Sequence, residues 1–300
     1  MRLVNPNILS EKYASKAFAL FQNKKWEIEE QEGGLSVFDR FCDRLAVLDN
    51  DEQRELLLEL TEDYLRVSLS EYEKLFLSVW RKYFTGKRIE LRKDERFVIC
   101  PLQQPEDFGK IKSSTMMLYL CQDNCLRCFP VFSDEQIRIC SSPELLKDIP
   151  CKIKELILID DYIGSGETGL GCLEYIKSIG KDIAKITILS LVSQKEGIDV
   201  LQKEGVRVLT AIQREKGITD KYVDNEERER RLKLMLAIED SLKIPNEWHL
   251  GHNASEALVS MVRTPNNTFP VYWYEDDKGK NARAPFPRKG NIKLLSEVKS

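Results

Sequence analysis

Residues 156–169 of the 300-residue chain read LILIDDYIGSGETG. The first four residues are a continuous apolar run, which is typical of a strand buried on both faces of a parallel sheet. Two adjacent aspartates, Asp160 and Asp161, follow the run, and a turn rich in glycine closes on Thr168. From there to Ile179 the apolar spacing is helical. The stretch therefore predicts a strand, a tight turn and a helix, with two carboxylates at the end of the strand.

Further apolar runs surround this stretch and alternate with helical patterns. After it, residues 186–192 and 206–212 are predicted strands, and residues 198–203 are a predicted helix between them. Before it, residues 97–102 are a predicted strand and residues 115–121 a predicted helix. An order of strands and helices that alternates in this way indicates a parallel sheet with right-handed crossovers. We therefore expect an α/β fold of the kind in which helices flank a parallel sheet.

The two ends of the chain have a different character from this middle part. Residues 8–84 carry apolar residues at helical spacing, whereas residues 257–288 are rich in Val, Tyr, Trp, Pro and Asn and indicate strands and ordered loops. We predict a helical N-terminal region over residues 1–92, an α/β core over residues 93–245 and a strand-rich C-terminal hood over residues 246–300.

Composition limits the classes of function. The net charge of −3 gives no support to a generally basic nucleic-acid binder. No apolar run approaches the roughly 20 residues that span a bilayer, and the N-terminal residues lack the apolar segment of a secretory signal. We expect a cytoplasmic protein with no membrane partner, whose eight cysteines are mostly reduced.

The sequence of the glycine turn allows two classes of ligand to be compared, a dinucleotide and a ribose 5-phosphate. Its sequence, GSGETG, fits the G-x-G-x-x-G pattern of a dinucleotide-binding turn. That class is disfavoured because two carboxylates would repel a pyrophosphate and because no acid follows about 20 residues later. A ribose 5-phosphate fits better, since Asp160 and Asp161 can accept hydrogen bonds from vicinal hydroxyls and attract hydrated Mg²⁺. The N–H groups of a turn at a helix N-terminus suit the phosphate. The simpler alternative is a tight strand–helix link with two solvated aspartates.

Four apolar residues, two acids, two further residues and a small-residue turn closing on Thr resemble the phosphoribosyl-diphosphate motif of type I phosphoribosyltransferases. The resemblance implies a phosphoribosyltransferase-type sheet. It also implies that Asp160 and Asp161 are the catalytic acid pair and hold the ribose hydroxyls, directly or through Mg²⁺. It assigns the 5-phosphate to the turn residues Gly164, Ser165, Gly166, Glu167 and Thr168.

Two positions of the turn depart from that family. Gly164 stands where some members carry an aspartate that transfers a proton, and Glu167 brings a negative charge to the phosphate turn. Two hypotheses of function follow. Either the chain makes or breaks a bond at the anomeric carbon of 5-phosphoribosyl 1-diphosphate or a related nucleotide, or it keeps the pocket without turnover and senses a nucleotide. A purely structural subunit is a third alternative.

Type I phosphoribosyltransferases also have a pyrophosphate loop after the first strand of the core. Here residues 103–114 follow the predicted strand 97–102 and precede a predicted helix. Ammonium and hydroxyl groups suit an anion, and the loop carries four of them, on Lys110, Lys112, Ser113 and Ser114. We expect this loop to bind pyrophosphate, although surface loops with two lysines are common.

The C-terminal sequences GHNAS (251–255), TPNNTFPVYW (264–273) and APFPR (284–288) narrow the resemblance. They look like those of phosphoribosyltransferase-like effectors of bacterial conflict systems, including effectors found beside retron reverse transcriptases. The resemblance implies a toxic effector in anti-phage defence. Its partner would be a reverse transcriptase with its RNA or DNA product, or another subunit of a defence complex. The candidate acceptor-binding residues of this hood are His252, Asn266 and Asn267.

A cysteine motif suggests a different chemistry. Cys121, Cys125 and Cys128 have the C-x3-C-x2-C spacing of the iron–sulfur site in radical enzymes that use S-adenosylmethionine. Arg127 stands where those enzymes usually carry an aromatic residue, and the order of strands and helices differs from theirs. A zinc site that adds Cys140 is another alternative, and reduced cysteines are the expected state.

Overall fold

The computed structural model describes residues 9–28, 36–87, 89–122, 136–150, 152–181, 183–275 and 283–288. Its α-helices are α1 (Glu11–Lys24), α2 (Val37–Ala46), α3 (Asp51–Glu62), α4 (Leu69–Phe84), α5 (Ser113–Leu120), α6 (Glu167–Ser178), α7 (Lys195–Lys203) and α8 (Asn225–Ser241). Its strands are β1 (Leu65–Arg66), β2 (Glu95–Pro101), β3 (Ile137–Ile139), β4 (Lys152–Ile163), β5 (Ile186–Gln194), β6 (Arg207–Arg214) and β7 (Val259–Ser260).

The chain forms two compact units. Val67–Glu215 make up one of them, here called the sheet unit, and Met1–Arg66 with Lys216–Ser300 make up the other, the helical unit. Packing alone defines these units, and the three domains predicted from the sequence stay a prediction.

The sheet unit is built on five parallel strands in the order β3-β2-β4-β5-β6. The α/β fold with a helix-flanked parallel sheet is therefore confirmed. Strand β4 lies at the centre of the sheet, where Ile157 is opposite Ile99 of β2 and Thr187 of β5. Such a strand can be apolar on both faces, as the run at 156–159 predicts. Strand β3 is not predicted, because three residues are too short a run to give a pattern.

Helices cover both faces of this sheet. On one face, Leu156 and Leu158 of β4 pack with Cys172 and Leu173 of α6 and with Leu201 of α7 in one buried cluster. Because successive residues of a strand point to opposite faces, Ile157, which lies between these two leucines, faces the other way.

Helix α4 supplies the cover on that opposite face, where it packs against β5 and β6. The rings of Trp80 and Tyr83 lie 6.4 and 6.1 Å from the ring of Phe97 in β2, between centroids. The helix begins after Ser68, whose N–H donates to the Glu71 carboxylate at 2.8 Å. An amphipathic pattern with a defined start explains why the sequence predicts a helix here.

The helical unit has its own core, built from α1, α2, α3 and α8 with turns of the C-terminal segment. Its parallel pair, β1 with β7, joins Leu65 to Val259. Of the predicted strand-rich hood, the described residues contain only β7 and a bridge between Ala257 and Thr268. Proline lacks the N–H that a ladder needs, and the apolar residues around Pro270 form a 3-10 turn instead. Across the described ranges, no helix is both long and apolar enough to cross a bilayer.

Candidate functional site

The glycine turn joins the end of β4 to the start of α6, as predicted. Gly166 has φ of +89°, a left-handed conformation that favours glycine. A Cβ on Gly197, in the first turn of α7, would overlap the carbonyl oxygen of Gly164. A Cβ on Gly169 would lie 2.6 Å from Cδ2 of Leu201. The glycines therefore let the turn, α6 and α7 approach one another closely.

The turn also presents the N-terminal end of α6. The Leu170 N–H donates to the Gly166 carbonyl at 2.9 Å, so the N–H groups that precede it belong to the open end of the helix. Ser165 and Thr168 are half-buried, while Glu167 is exposed. An exposed carboxylate is screened by water, so Glu167 opposes a bound phosphate less than a buried acid would.

The two aspartates have different hydrogen-bond partners. Asp161 is 5% exposed, and its Oδ2 accepts a hydrogen bond from the hydroxyl of the buried Tyr72 of α4 at 2.7 Å. Asp160 Oδ1 instead accepts from the Asp161 backbone N–H at 2.8 Å and from Ser113 Oγ at 3.3 Å. Asp160 follows Leu158 by two positions, and this places it on the α6 side of the sheet. Of the two acids, Asp160 is therefore the one on the side of the sheet that α6 covers.

Asp160 is held in a setting that disfavours its charge. Burial and the neighbouring Asp161 carboxylate raise the pKa of Asp160 well above the usual range of an aspartate. The hydrogen bonds from the Asp161 N–H and from Ser113 oppose that rise. In the ranges that the structure describes, neither aspartate forms an ion pair with a lysine or arginine. A cation at this position would therefore be stabilised.

The donor set fits a hydrated Mg²⁺ held by one carboxylate. This ion prefers hard oxygen ligands and keeps several waters, often with one or two protein carboxylates. Asp160 would supply one such ligand, whereas the Asp161 carboxylate already accepts a hydrogen bond from Tyr72. Among the described side chains, no group of three or more His, Cys, Asp or Glu is placed to bind a metal.

The loop that follows β2 lies beside the end of β4. The Leu102 N–H donates to the Ile159 carbonyl at 2.8 Å, and Ser113 at the far end of the loop reaches Asp160. Between them, the Phe108 ring packs edge-on against Tyr175 of α6, with 5.0 Å between centroids. The structure thus brings together the predicted loop and the acid pair.

The loop's cations are already engaged. Oδ1 of Asp107 lies 2.7 Å from the Lys112 ammonium and 3.7 Å from the Lys110 ammonium. Ser114 is 1% exposed, and its hydroxyl makes no hydrogen bond. Of the four residues predicted to hold pyrophosphate, Lys110, Lys112 and Ser113 lie at the surface, and Ser114 lies inside.

The three candidate residues of the hood belong to the helical unit. Asn267 is 8% exposed, and its side-chain N–H donates to Ser255 Oγ at 2.8 Å. The His252 backbone N–H donates to the Asn266 carbonyl at 2.9 Å. Nearby, Glu256 is in a left-handed conformation with φ of +49°. These contacts make Asn267 part of an internally bonded turn, while His252 and Asn266 are half-buried.

The cysteine motif is only partly described. Cys125 and Cys128 lie outside the described residues, so the spacing that suggests an iron–sulfur or zinc site is not tested. Cys121 and Cys140 are buried. Burial raises the pKa of the Cys140 thiol, which favours the protonated form over the metal-binding thiolate.

The helical unit contains a half-open cavity of about 870 Å³. Its lining carries charges of both signs, and its cations are bound within the unit. Lys16 donates to Glu55 at 2.6 Å, and Lys24 donates to the Tyr64 carbonyl at 2.9 Å. Both of these cations therefore already have partners within the helical unit.

Three residues of the site have roles that sequence reasoning missed, namely Tyr72, Asp107 and Gly197. The sequence identifies Tyr72 only as a position on the apolar side of a helix, and its partner lies 89 residues away. Asp107 lies in the predicted loop, where its charge next to two lysines is the available signal. Gly197 has a local signal too, because glycine is unfavourable inside a helix unless close packing requires it.

Comparison with known proteins adds a family. The sequence profile of the family described as PRTase-CE matches residues 25–288. No curated protein matches the chain.

Solved structures with a similar arrangement include three that share low identity with the chain. Orotate phosphoribosyltransferase from Aeropyrum pernix is 16% identical over 55% of this chain and 78% of its own, with a TM-score of 0.30. The Mycobacterium tuberculosis orotate phosphoribosyltransferase in complex with 5-phospho-alpha-D-ribosyl 1-diphosphate is 10% identical over 70% and 91%, with a TM-score of 0.27. A hypothetical protein from Neisseria gonorrhoeae with bound ppGpp is 14% identical over 56% and 95%, with a TM-score of 0.34.

Proposed function

The chain belongs to the PRTase-CE family, and from that premise we propose that this phosphoribosyltransferase-like protein binds 5-phosphoribosyl 1-diphosphate, or a related nucleotide, with Mg²⁺. One observation carries the proposal. Asp160 lies among the last residues of β4, four positions before Gly164, at the C-terminal edge of a parallel sheet, where α/β folds bind ligands.

The proposed ligand is held at two points by this edge. The open end of α6 and the hydroxyls of Ser165 and Thr168 bind the 5-phosphate, since N–H groups and the helix dipole favour an anion there. Asp160 accepts hydrogen bonds from the ribose hydroxyls. Asp161 supports it indirectly, because its backbone N–H donates to the Asp160 carboxylate while Tyr72 binds its own side chain.

The diphosphate is assigned to the loop that carries Lys110 and Lys112. In the proposed reaction, the bond between the anomeric carbon and the diphosphate oxygen breaks, and the diphosphate leaves with the electron pair. The acceptor, or water, forms the new bond to that carbon and releases a proton. When bound, Mg²⁺ supplies charge neutralisation of the leaving diphosphate, and Asp160 is the carboxylate that would hold it.

A second candidate function is nucleotide sensing without turnover. Gly164 favours it, because this position has no side chain to move a proton and its carbonyl is packed against Gly197. Release of labelled pyrophosphate from the ribosyl diphosphate, measured with and without candidate acceptors, separates the two. Turnover supports the enzyme, and tight binding without turnover supports the sensor.

We also propose a biological setting, which rests on the resemblance of the C-terminal sequences to conflict-system effectors. The protein acts in the cytoplasm as a toxic effector of anti-phage defence. A reverse transcriptase with its RNA or DNA product, or another defence subunit, restrains it. If it were only a structural subunit, the Asp160→Asn/Asp161→Asn variant would protect cells from phage as well as wild type does.

Titration calorimetry of 5-phosphoribosyl 1-diphosphate with Mg²⁺ tests the binding proposal. We expect binding by wild type and loss of binding in Asp160→Asn/Asp161→Asn. Glu204→Gln is the control, because it breaks a 2.7 Å ion pair with Lys177, which lies in the last turn of α6. If well-folded wild-type protein binds no ribosyl diphosphate, the proposed function is wrong.

A further inference from the structure

Asp107 holds both cations of the proposed pyrophosphate loop. Asp107 as a whole is only 8% exposed, whereas the side chains of Lys110 and Lys112 are 44% and 38% exposed. One carboxylate oxygen is shared between two ammonium groups, at 2.7 and 3.7 Å. The arrangement therefore places one fixed negative charge where the loop would bind an anion.

The position of Asp107 is fixed by the backbone around it. Its N–H donates to the Gln104 carbonyl at 2.9 Å, and its own carbonyl accepts from the Lys110 N–H at 3.1 Å. The next residue, Phe108, packs on Tyr175 of α6. The lysine side chains are long and partly exposed, so an arriving ligand can reorient them, while the carboxylate stays in place.

A ligand must therefore compete with this carboxylate. Separating a partly exposed ion pair takes little free energy, but it leaves the Asp107 carboxylate buried with fewer partners, which is unfavourable. A single phosphate offers one anionic group to replace the Asp107 carboxylate as the partner of the two lysines. A diphosphate offers two anionic groups, so each group can bind one lysine.

We propose that Asp107 makes this loop selective for a diphosphate over a single phosphate by occupying Lys110 and Lys112 until a ligand with two anionic groups displaces it. The inference rests on the proposed function, because it assigns a specificity role within the loop that would hold the diphosphate. It gives the buried Asp107 carboxylate a role that a simple anion site would not require.

The test compares two probes, inorganic phosphate and inorganic pyrophosphate, by titration calorimetry at fixed ionic strength without Mg²⁺. We expect wild type to prefer pyrophosphate. In Asp107→Asn the affinity for phosphate should rise roughly fivefold and that for pyrophosphate roughly twofold, because an ion pair of about 1 kcal/mol no longer competes. The preference for pyrophosphate should therefore shrink. An unchanged ratio, or weaker binding of both probes, would overturn the inference.

Two further variants keep the test sharp. Lys112→Met should weaken pyrophosphate binding more than phosphate binding, and this holds even if Asp107→Asn fails to fold. Equal weakening of both probes would count against the inference. Glu204→Gln, which breaks an ion pair of the same 2.7 Å length outside the loop, should leave both affinities unchanged.

The outcomes separate this inference from the proposed function. If wild type binds 5-phosphoribosyl 1-diphosphate with Mg²⁺ but Asp107→Asn does not alter the ratio of the two probes, the function stands and the selectivity role is wrong. If the ratio shifts as expected but wild type binds no ribosyl diphosphate, the loop is a selective anion site and the proposed function is wrong.

Discussion

The two edges of the parallel sheet each contain a buried carboxylate that a tyrosine of α4 binds. At the C-terminal edge, the Tyr72 hydroxyl donates to Asp161 at 2.7 Å, and at the N-terminal edge the Tyr83 hydroxyl donates to Glu155 at 2.9 Å. The tyrosines are about 16 Å apart along the helix, and the acids are about 20 Å apart along β4. A single helix therefore binds the central strand near both of its ends.

The two edges differ in how they neutralise their acids. Glu155 has Lys87 at 3.8 Å and Lys185 at 4.0 Å, and the Lys87 ammonium also lies 3.6 Å from the centre of the Tyr83 ring. The aspartates of the other edge have no such cation in the described part of the chain. Buried charge is normally paired within the protein. The N-terminal edge thus pairs its acid with cations of the protein, and we propose that a ligand supplies the missing partner at the C-terminal edge.

Replacing one acid at each edge gives the largest expected effect. Asp160→Asn should reduce the affinity for 5-phosphoribosyl 1-diphosphate with Mg²⁺ at least about 100-fold, because hydrogen bonds to a charged acceptor and a metal ligand are lost. Its stability in urea should not fall, since burial already disfavours the charge. Glu155→Gln should retain the affinity and lose about 1–2 kcal/mol of stability, because its cations lose their partner.

Calorimetry and urea unfolding of both variants check this pair of outcomes. Asp161→Asn is the informative third variant. We expect it to weaken binding less than Asp160→Asn does, because Tyr72 rather than the ligand contacts its carboxylate. Equal losses from the two aspartate variants would show that both acids face the ligand, and the contrast between them would disappear.

Gly197→Ala should produce the second largest effect, and only at the C-terminal edge. The added Cβ would overlap the Gly164 carbonyl oxygen, so the phosphate turn must move. We expect about a tenfold loss of affinity for the ribosyl diphosphate and a loss of roughly 1–3 kcal/mol of stability, as for other overpacked sites. Asp199→Ala, at an exposed position of the same helix, is the matched control. Unchanged affinity in a destabilised Gly197→Ala protein would mean that the turn does not bind the phosphate.

Removing each tyrosine hydroxyl in turn measures the difference between the edges directly. Tyr72→Phe should cost about 2 kcal/mol of stability, because it leaves the buried Asp161 carboxylate without that donor. Tyr83→Phe should cost about 1 kcal/mol, because Lys87 and Lys185 remain near Glu155. Midpoints of urea unfolding give both values. A larger loss of stability in Tyr83→Phe than in Tyr72→Phe would reverse the comparison, because it would mean that Glu155 depends on its tyrosine hydroxyl more than Asp161 does.

The sheet and the glycine turn could be predicted because both depend on local sequence. A continuous apolar run, two acids and a glycine-rich turn before a helix have few structural solutions, and the chain adopts the expected one between Leu156 and Ser178. What could not be predicted is which side chains meet across the sheet. Tyr72 reaches Asp161 only because α4 packs on that face, and no short-range pattern specifies the packing.

The central strand is longer than predicted, and this difference has a clear physical origin. The apolar run predicts a strand over residues 156–159 with Asp160 and Asp161 at its end. The strand instead continues to Ile163, since Tyr162 still pairs with Val192 of β5. Neighbouring side chains leave a strand on opposite sides, so Asp160 reaches Ser113 whereas Asp161 reaches Tyr72. The sequence contains a hint of this longer strand, because Tyr162 and Ile163 are residues that favour strands.

The smallest expected effect concerns pH, and its sign differs between the edges. The pKa of Asp160 is raised in the folded state, so the stability it contributes is complete below the ordinary pKa of an aspartate and is lost as pH rises through the folded value.

Burial lowers the pKa of Lys87 to about 8, so the unfolded chain keeps a proton that the folded protein has lost between pH 8 and about 10.5. Stability should therefore rise with pH in that window. Urea midpoints measured from pH 5 to pH 10 should show that Asp160→Asn becomes more stable relative to wild type as pH rises, and that Lys87→Met becomes less stable relative to wild type above pH 8. Parallel curves for wild type and both variants would mean that folding shifts the pKa of neither Asp160 nor Lys87. The electrostatic difference between the two edges would then be wrong.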